Sequence, residues 1–227
     1  MNQRTKLALT VIGIYAVAMV LATCLLGCEN VPTMPVDPIE APGTPKPKKR
    51  IALSWEAGKG YSLLPETSDY LISLLRADLA TFSSAKDVTQ ICPKYHSLAE
   101  DGKLKALGEF SAALAYYESS WNVKSSSVDV GKKENLDTYS VGLFQLSVVD
   151  QSWAGGGTKY SFADLQTSKP NIHLYVILMK RQIMKSGEII LPNASKYRYW
   201  AIILEGNKYQ KISSVLGRVK ANVPECY

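Results

Sequence analysis

Lys103–Asn122 reads KLKALGEFSAALAYYESSWN, and the reading of this stretch decides the fold. Leu104, Leu107, Ser111, Leu114 and Glu118 recur at spacings of three and four, the period of one helical face. The spacing predicts a helix from about Lys103 to Ser119, with an apolar stripe turned to a core. Glu118 closes that stripe. A carboxylate placed among leucines is partly desolvated, and this one lies near the negative end of a helix dipole. Both effects disfavour the charged form and raise the pKa. A carboxylic acid that keeps its proton near neutrality suits general acid chemistry. Periodicity alone favours a plainer reading, a surface glutamate at a fraying helix end, because charged residues are mostly exposed.

Working outward, the pattern stays helical. Thr67 or Ser68 is placed to cap a helix carrying Tyr70, Leu71, Leu74, Leu75, Leu79 and Phe82. Downstream come a polar Ser120–Tyr139 stretch and a third helix expected from near Gly142. Gly155-Gly156-Gly157 marks a turn. Asn171–Ile183 reads as a helix after Pro170, Ser195–Leu204 as one capped by Asn193, and Gln210–Val219 as the last. Strand signals are few and short. The expected fold class is mainly α, without internal repeats.

The ends of the chain speak of location. Residues 1–27 open with Arg4 and Lys6, continue as an apolar run from Leu7 to Leu26, and end small, the layout of a secretory signal. Leu25-Leu26-Gly27-Cys28 resembles the lipobox of bacterial lipoproteins. That resemblance implies cleavage before Cys28, acylation of its sulfur, and a place on the periplasmic side of the cell envelope. An uncleaved membrane anchor is the competing reading, since the apolar run nearly spans a bilayer. A cysteine there serves no packing purpose in a membrane helix, which favours the lipoprotein. Residues 28–50 hold six of the eleven prolines and end in Lys46-Pro47-Lys48-Lys49-Arg50, so they read as an extended tether. Residues 51–227 form the expected domain. Once Cys24 and Cys28 are set aside, Cys92 and Cys226 remain, and in an oxidising compartment two leftover cysteines usually pair.

Two further motifs accompany Glu118. Glu118-Ser119-Ser120-Trp121-Asn122 resembles the Glu-Ser-x-aromatic-Asn motif of the lysozyme-like lytic transglycosylase family, soluble lytic transglycosylase type. Ser140-Val141-Gly142-Leu143-Phe144-Gln145-Leu146 resembles that family's Gly-Leu-Met-Gln-Ile motif, and Pro170-Asn171-Ile172 resembles its later Asn-Ile pair. The order is the family's own across about Leu104–Ile183. The resemblance implies a lysozyme-like helical domain that cuts peptidoglycan glycan strands at the β-1,4 bond after N-acetylmuramic acid. It implies Glu118 as acid/base, Ser119 bonding substrate or the Glu118 carboxylate, Gly142 admitting sugar close to backbone, and Gln145 supporting the site from a second-motif helix. Asn171 is read as structural, tying a helix start to the active-site helices. Tyr139 and Trp153, aromatics in polar loops, are the expected groove residues.

The chain departs from the family in two places. Gly142 follows Glu118 by 24 residues, a long gap whose excess, Ser125–Thr138, holds Asp129, Glu134 and Asp137. Such a loop resembles lysozymes and chitosanases of the same superfamily, where a second carboxylate activates water. Asp129 and Asp137 are the candidates for that acid, although a route with Glu118 alone, giving an anhydro sugar, is preferred. The family's late aromatic-Asn-x-Gly motif is replaced by Leu204-Glu205-Gly206-Asn207. Either Tyr197 or Tyr199 replaces the missing tyrosine, or Glu205 takes a new role. A non-catalytic peptidoglycan-binding lipoprotein is the competing function.

The net charge of +6 falls to +4 without Arg4 and Lys6, which favours an anionic polymer or a membrane surface. Peptidoglycan and, through Cys28, a membrane are the expected partners. No nucleic-acid signature appears. His96 and His173 are isolated and no metal-ligand spacing exists, so neither metal nor other cofactor is expected.

Overall fold

Helix α4, Glu100–Ser119, is the axis of the domain. Glu100 and Asp101 in its first turn complement the helix dipole. Leu104, Ala106–Ala115 and Ser119 are buried, so nearly its whole circumference is covered rather than one stripe. Small residues make that possible. A side chain at Gly108 would start 2.7 Å from a Leu53 methyl. The computed structural model describes residues 49–58, 60–128, 135–155, 157, 159–192, 194–197 and 199–227. The expected signal 1–27, Cys28, the tether to residue 48, Asp129, Glu134 and Asn193 lie outside the described residues. Lys48–Tyr227 forms one compact unit.

α1 (Pro65–Ala77), α3 (Val88–Ile91) and α8 (Ile212–Asn222) pack on α4, and α7 (Ser168–Ser186) packs on α1 and carries α2 (Leu79–Ser83) and the short α5 (Asp150–Ala154) and α6 (Phe162–Leu165). Pro65 starts α1 at a position whose N–H has no helical acceptor, and Leu71, Ile72 and Leu75 are its buried face. Pro170 lies in the first turn of α7 for the same reason, so that helix begins at Ser168 rather than after the proline. Ser111 Oγ on α4 meets the Tyr175 hydroxyl on α7 at 2.8 Å, and Tyr175 stacks on Phe144 at 3.8 Å. Arg218 of α8 lies 3.5 Å over the Tyr116 ring of α4, a cation–π contact that seals the two helices.

Strands are minimal, and the described fold is mainly helical. β1 (Ser126–Ser127) pairs antiparallel with β2 (Ser140–Val141), Ser126 opposite Val141. β3 (Leu191–Pro192) pairs parallel with β4 (Leu204–Glu205). Cys92 and Cys226 are bonded, with Cα atoms 4.8 Å apart, and join the α3 end to the C-terminus.

Two expected helices are absent. Residues 142–145 form a tight turn, with Gly142 at φ 75° and Gln145 at φ 48°, both left-handed. Val141 and Leu146 close it by exchanging backbone bonds of 2.9 and 3.0 Å. Left-handed residues cannot propagate a right-handed helix. Among the described residues of the Ser195–Leu204 stretch only Ala201–Ile203 is helical, as one 3₁₀ turn. Tertiary contacts override periodicity there: the Trp200 indole is buried and donates to the Phe144 carbonyl at 3.0 Å.

Candidate active site

The last turn of α4 carries Glu118, and the chain reverses directly after it. Ser120 and Trp121 take φ of 54° and 65°, left-handed values that cost non-glycine residues energy. Trp121 compensates by folding back: its ring is buried, its Nε1 donates to Ala112 O at 2.7 Å, and it meets Tyr116 edge-on at 5.1 Å. Gly58 lies flat against the same ring, where a Cβ would fall 2.5 Å from it. The Trp of the first motif therefore anchors the reversal that leaves Glu118 at the helix end.

Glu118 opens into a cavity of about 670 Å³. It is lined by Ser125, Ser127, Ser140, Gln145, Ser147, Asp150, Tyr199, Trp200, Ala201, Ile202 and Tyr209. Burial pushes the Glu118 carboxyl up to about 7. Among the described residues no cation lies within ion-pair distance of it. The arrangement is a half-buried acid, able to hold its proton near neutrality, facing a polar cleft with aromatic walls. That geometry can deliver a proton to an oxygen placed in the cleft.

Gln145 lines the cavity from the turn, not from a helix. Its Nε2 donates to Gly142 O at 3.0 Å, and its Oε1 accepts from Ser127 Oγ at 2.9 Å. Ser119 is buried away from the cavity, its hydroxyl 2.9 Å from Leu143 O and 3.0 Å from Ala115 O. With its one proton directed at carbonyls, it ties α4 to the second motif and does not reach Glu118 or a ligand. Gly142 also faces inward. A Cβ there would fall 2.3 Å from Asn171 Nδ2 and 2.4 Å from Leu165 O. It is glycine so that the Asn171 side chain fits, not so that sugar approaches. Asn171, fully buried, donates to Val141 O and Leu165 O at 2.9 Å each and accepts from Phe144 N at 2.9 Å.

The expected groove aromatics lie elsewhere. Tyr139 packs edge-on against Phe162 at 6.3 Å, outside the cavity. Trp153 is not among the lining residues; it stacks on Tyr199 at 6.1 Å, and the Arg181 guanidinium lies over its ring at 5.5 Å. Tyr199 itself lines the cavity, whereas Tyr197 does not. Glu205 lines a separate depression with Lys211 and Ser213. Asp137 is exposed within the Leu136–Thr138 turn and is not among the cavity's lining residues.

Asp150, Ser147 and Tyr209 are wall residues that the sequence did not single out. Ser147-Val148-Val149-Asp150 has the Ser-x-x-acid form of a capping box, which disguises Asp150 as a helix-start residue. Asp150 Oδ2 accepts from Ser147 N at 2.7 Å, from Ser147 Oγ at 2.6 Å and from the Tyr199 hydroxyl. Burial first, and then the Asp150 charge, hold the Tyr199 phenol well above its ordinary range, so it keeps the proton it donates. Among the described residues no group of three or more His, Cys, Asp or Glu side chains is placed to hold a metal ion.

No family model matches the chain. No curated protein matches it either. Solved structures do. Bd0314 DslA from Bdellovibrio, wild-type form 2, superposes with a TM-score of 0.64 at 20% identity, over 79% of this chain and all of that one. Two glutamate-to-glutamine mutants of the same protein superpose at 0.63, also at 20% identity and with the same coverage. The chain shares the fold of that protein.

Proposed function

We propose that this protein cleaves peptidoglycan glycan strands at the β-1,4 bond between N-acetylmuramic acid and N-acetylglucosamine, with Glu118 as general acid/base. One observation carries the reading: Glu118 sits unpaired at the end of α4, with its carboxyl pushed up to about 7, in the cavity that also holds Gln145 of the second motif. The lysozyme-like motifs, the fold shared with DslA, and the existence of glutamate-to-glutamine mutants among the solved neighbours all support it. Tyr199 supplies the cavity aromatic that the altered Leu204–Asn207 segment lacks, which weighs against a purely binding role.

The reading includes location. Cys28 carries lipid, residues 28–50 are the tether, and the domain from 51 works on the periplasmic side of a membrane against the wall. No nucleic acid is involved. The test is to incubate the protein with purified sacculi and analyse the released muropeptides by mass spectrometry. Release that Glu118→Gln abolishes supports the reading, and no release by the native chain overturns it. Fatty-acid labelling that survives Cys28→Ser would overturn the anchor.

A further inference from the structure

We propose that Asp150 is the second carboxylate of the site, the base that activates water while Glu118 protonates the departing oxygen. The inference rests on the cleavage reading above and specifies its chemistry.

Among the described residues the cavity wall contains two carboxylates, Glu118 and Asp150. They are treated very differently. Glu118 is free to hold and release a proton. Asp150 is fixed in orientation, because Oδ2 receives three donors, Ser147 N, Ser147 Oγ and Tyr199 OH. Among the described residues no donor is directed at Oδ1. The carboxylate is thus clamped by one oxygen and open by the other.

A helix cap explains only part of this. At the start of α6 Asp164 Oδ2 makes the same two bonds, accepting from Ser161 N at 2.8 Å and Ser161 Oγ at 2.7 Å, and Asp164 N returns a bond to Ser161 Oγ that Asp150 N does not make to Ser147 Oγ. Asp164 is exposed, and among the described residues no tyrosine hydroxyl hydrogen-bonds to it. At Asp150 a phenol from a segment 49 residues away is added, and the whole assembly faces the cavity. The Tyr199 hydroxyl feels the charge of Asp150 and also that of Glu118, which sets both carboxylates within electrostatic reach of one group. Asp137, by contrast, lies outside the cavity wall.

The step balances with water as the only co-reactant. Glu118 gives its proton to the glycosidic oxygen as the C1–O bond breaks. Water attacks C1, and its proton passes to Asp150 Oδ1. Solvent then returns that proton to Glu118. The products are a free hydroxyl on one sugar and a reducing end on the other, so the route is hydrolytic.

The test compares the native chain, Glu118→Gln, Asp150→Ala and Asp150→Asn on sacculi in oxygen-labelled water, with and without azide. The native chain should place the label at C1 of a reducing end. Asp150→Ala and Asp150→Asn should lose about 10²–10⁴-fold in muropeptide release, the usual worth of a general base. Azide needs no base, so it should restore turnover of Asp150→Ala and leave a glycosyl azide. Asp150→Asn preserves the cap, so its loss with an unchanged melting temperature separates chemistry from folding. Anhydro products, an active Asp150→Asn, or a loss that azide cannot relieve would each overturn the assignment. If these occur while Glu118→Gln is dead, only Asp150 fails. If the native chain releases nothing, the cleavage reading fails and takes Asp150 with it.

Discussion

Glu109 and Glu118 are the same residue on the same helix, nine positions apart, which places them on opposite faces. Glu109 is 1% exposed. Its Oε1 accepts from Lys105 Nζ at 2.8 Å and from Ser54 N at 2.9 Å, and its Oε2 is buried without a partner among the described residues. Lys105 also donates to Ala52 O, so the pair straps the first residues of the domain onto α4. Glu118 is less enclosed and has no such cation. Burial alone therefore does not make an acid. A lysine one turn away makes a brace of the more buried glutamate, and its absence leaves the other holding a proton at the edge of a cavity.

That contrast breaks most sharply in activity. Glu118→Gln keeps the shape and removes the proton, so muropeptide release should fall by about 10²–10⁴-fold. Full activity in that variant, read by mass spectrometry, would place the acid elsewhere.

The next largest effect is in stability against pH. The carboxyl of Glu118 stands at about 7 when folded, against an ordinary 4.5. A raised folded value means the folded state binds the proton more tightly. Its cost is absent below about pH 4.5, grows as pH rises, and levels off above 7, near 3 kcal/mol in all. Thermal melts from acid to alkaline pH should show the decline in the native chain and lose it in Glu118→Gln, which should be the more stable protein at pH 8. Parallel curves for the two would show that Glu118 is not desolvated. Activity should decline over the same rise, as the general acid loses its proton.

Glu109→Gln should do the opposite. It removes the partner of Lys105 and should destabilise the fold by about 2 kcal/mol, measured by denaturant unfolding, with muropeptide release at low temperature unaltered. An activity loss there would erase the distinction between the two glutamates. Ser119→Ala sharpens the picture at the small end. It leaves the Leu143 carbonyl without its side-chain donor and should cost about 1 kcal/mol, a shift that a chemical denaturation curve resolves.

Much of this was legible in the residues of α4. Leu104, Leu107 and Leu114 are buried where their period put them, and Glu118 ends the stripe at a cavity. Asn171 has the structural role that the third motif implied, but its side chain ties α7 to the turn of the second motif rather than to a helix. Other residues were misplaced for one reason. Ser119, Gly142, Tyr139 and Trp153 lie near the site in sequence, but their contacts are Leu143, Asn171, Phe162 and Tyr199, none of which local pattern identifies. The Gly142–Gln145 turn, with apolar Leu143, Phe144 and Leu146 in and after it, stands where a helix start is expected. They are buried by a reversal of the chain instead.

The sequence by itself determined the helical class and the central helix with its terminal acid, because helical period and desolvation act between residues three or four apart. Only the tertiary structure decided what faces Glu118. Asp150 and Tyr199 meet across 49 residues, and Gln145 reaches the cavity through a left-handed turn. Such contacts are set by how the loops close over α4, and they leave no local mark in the residues that make them.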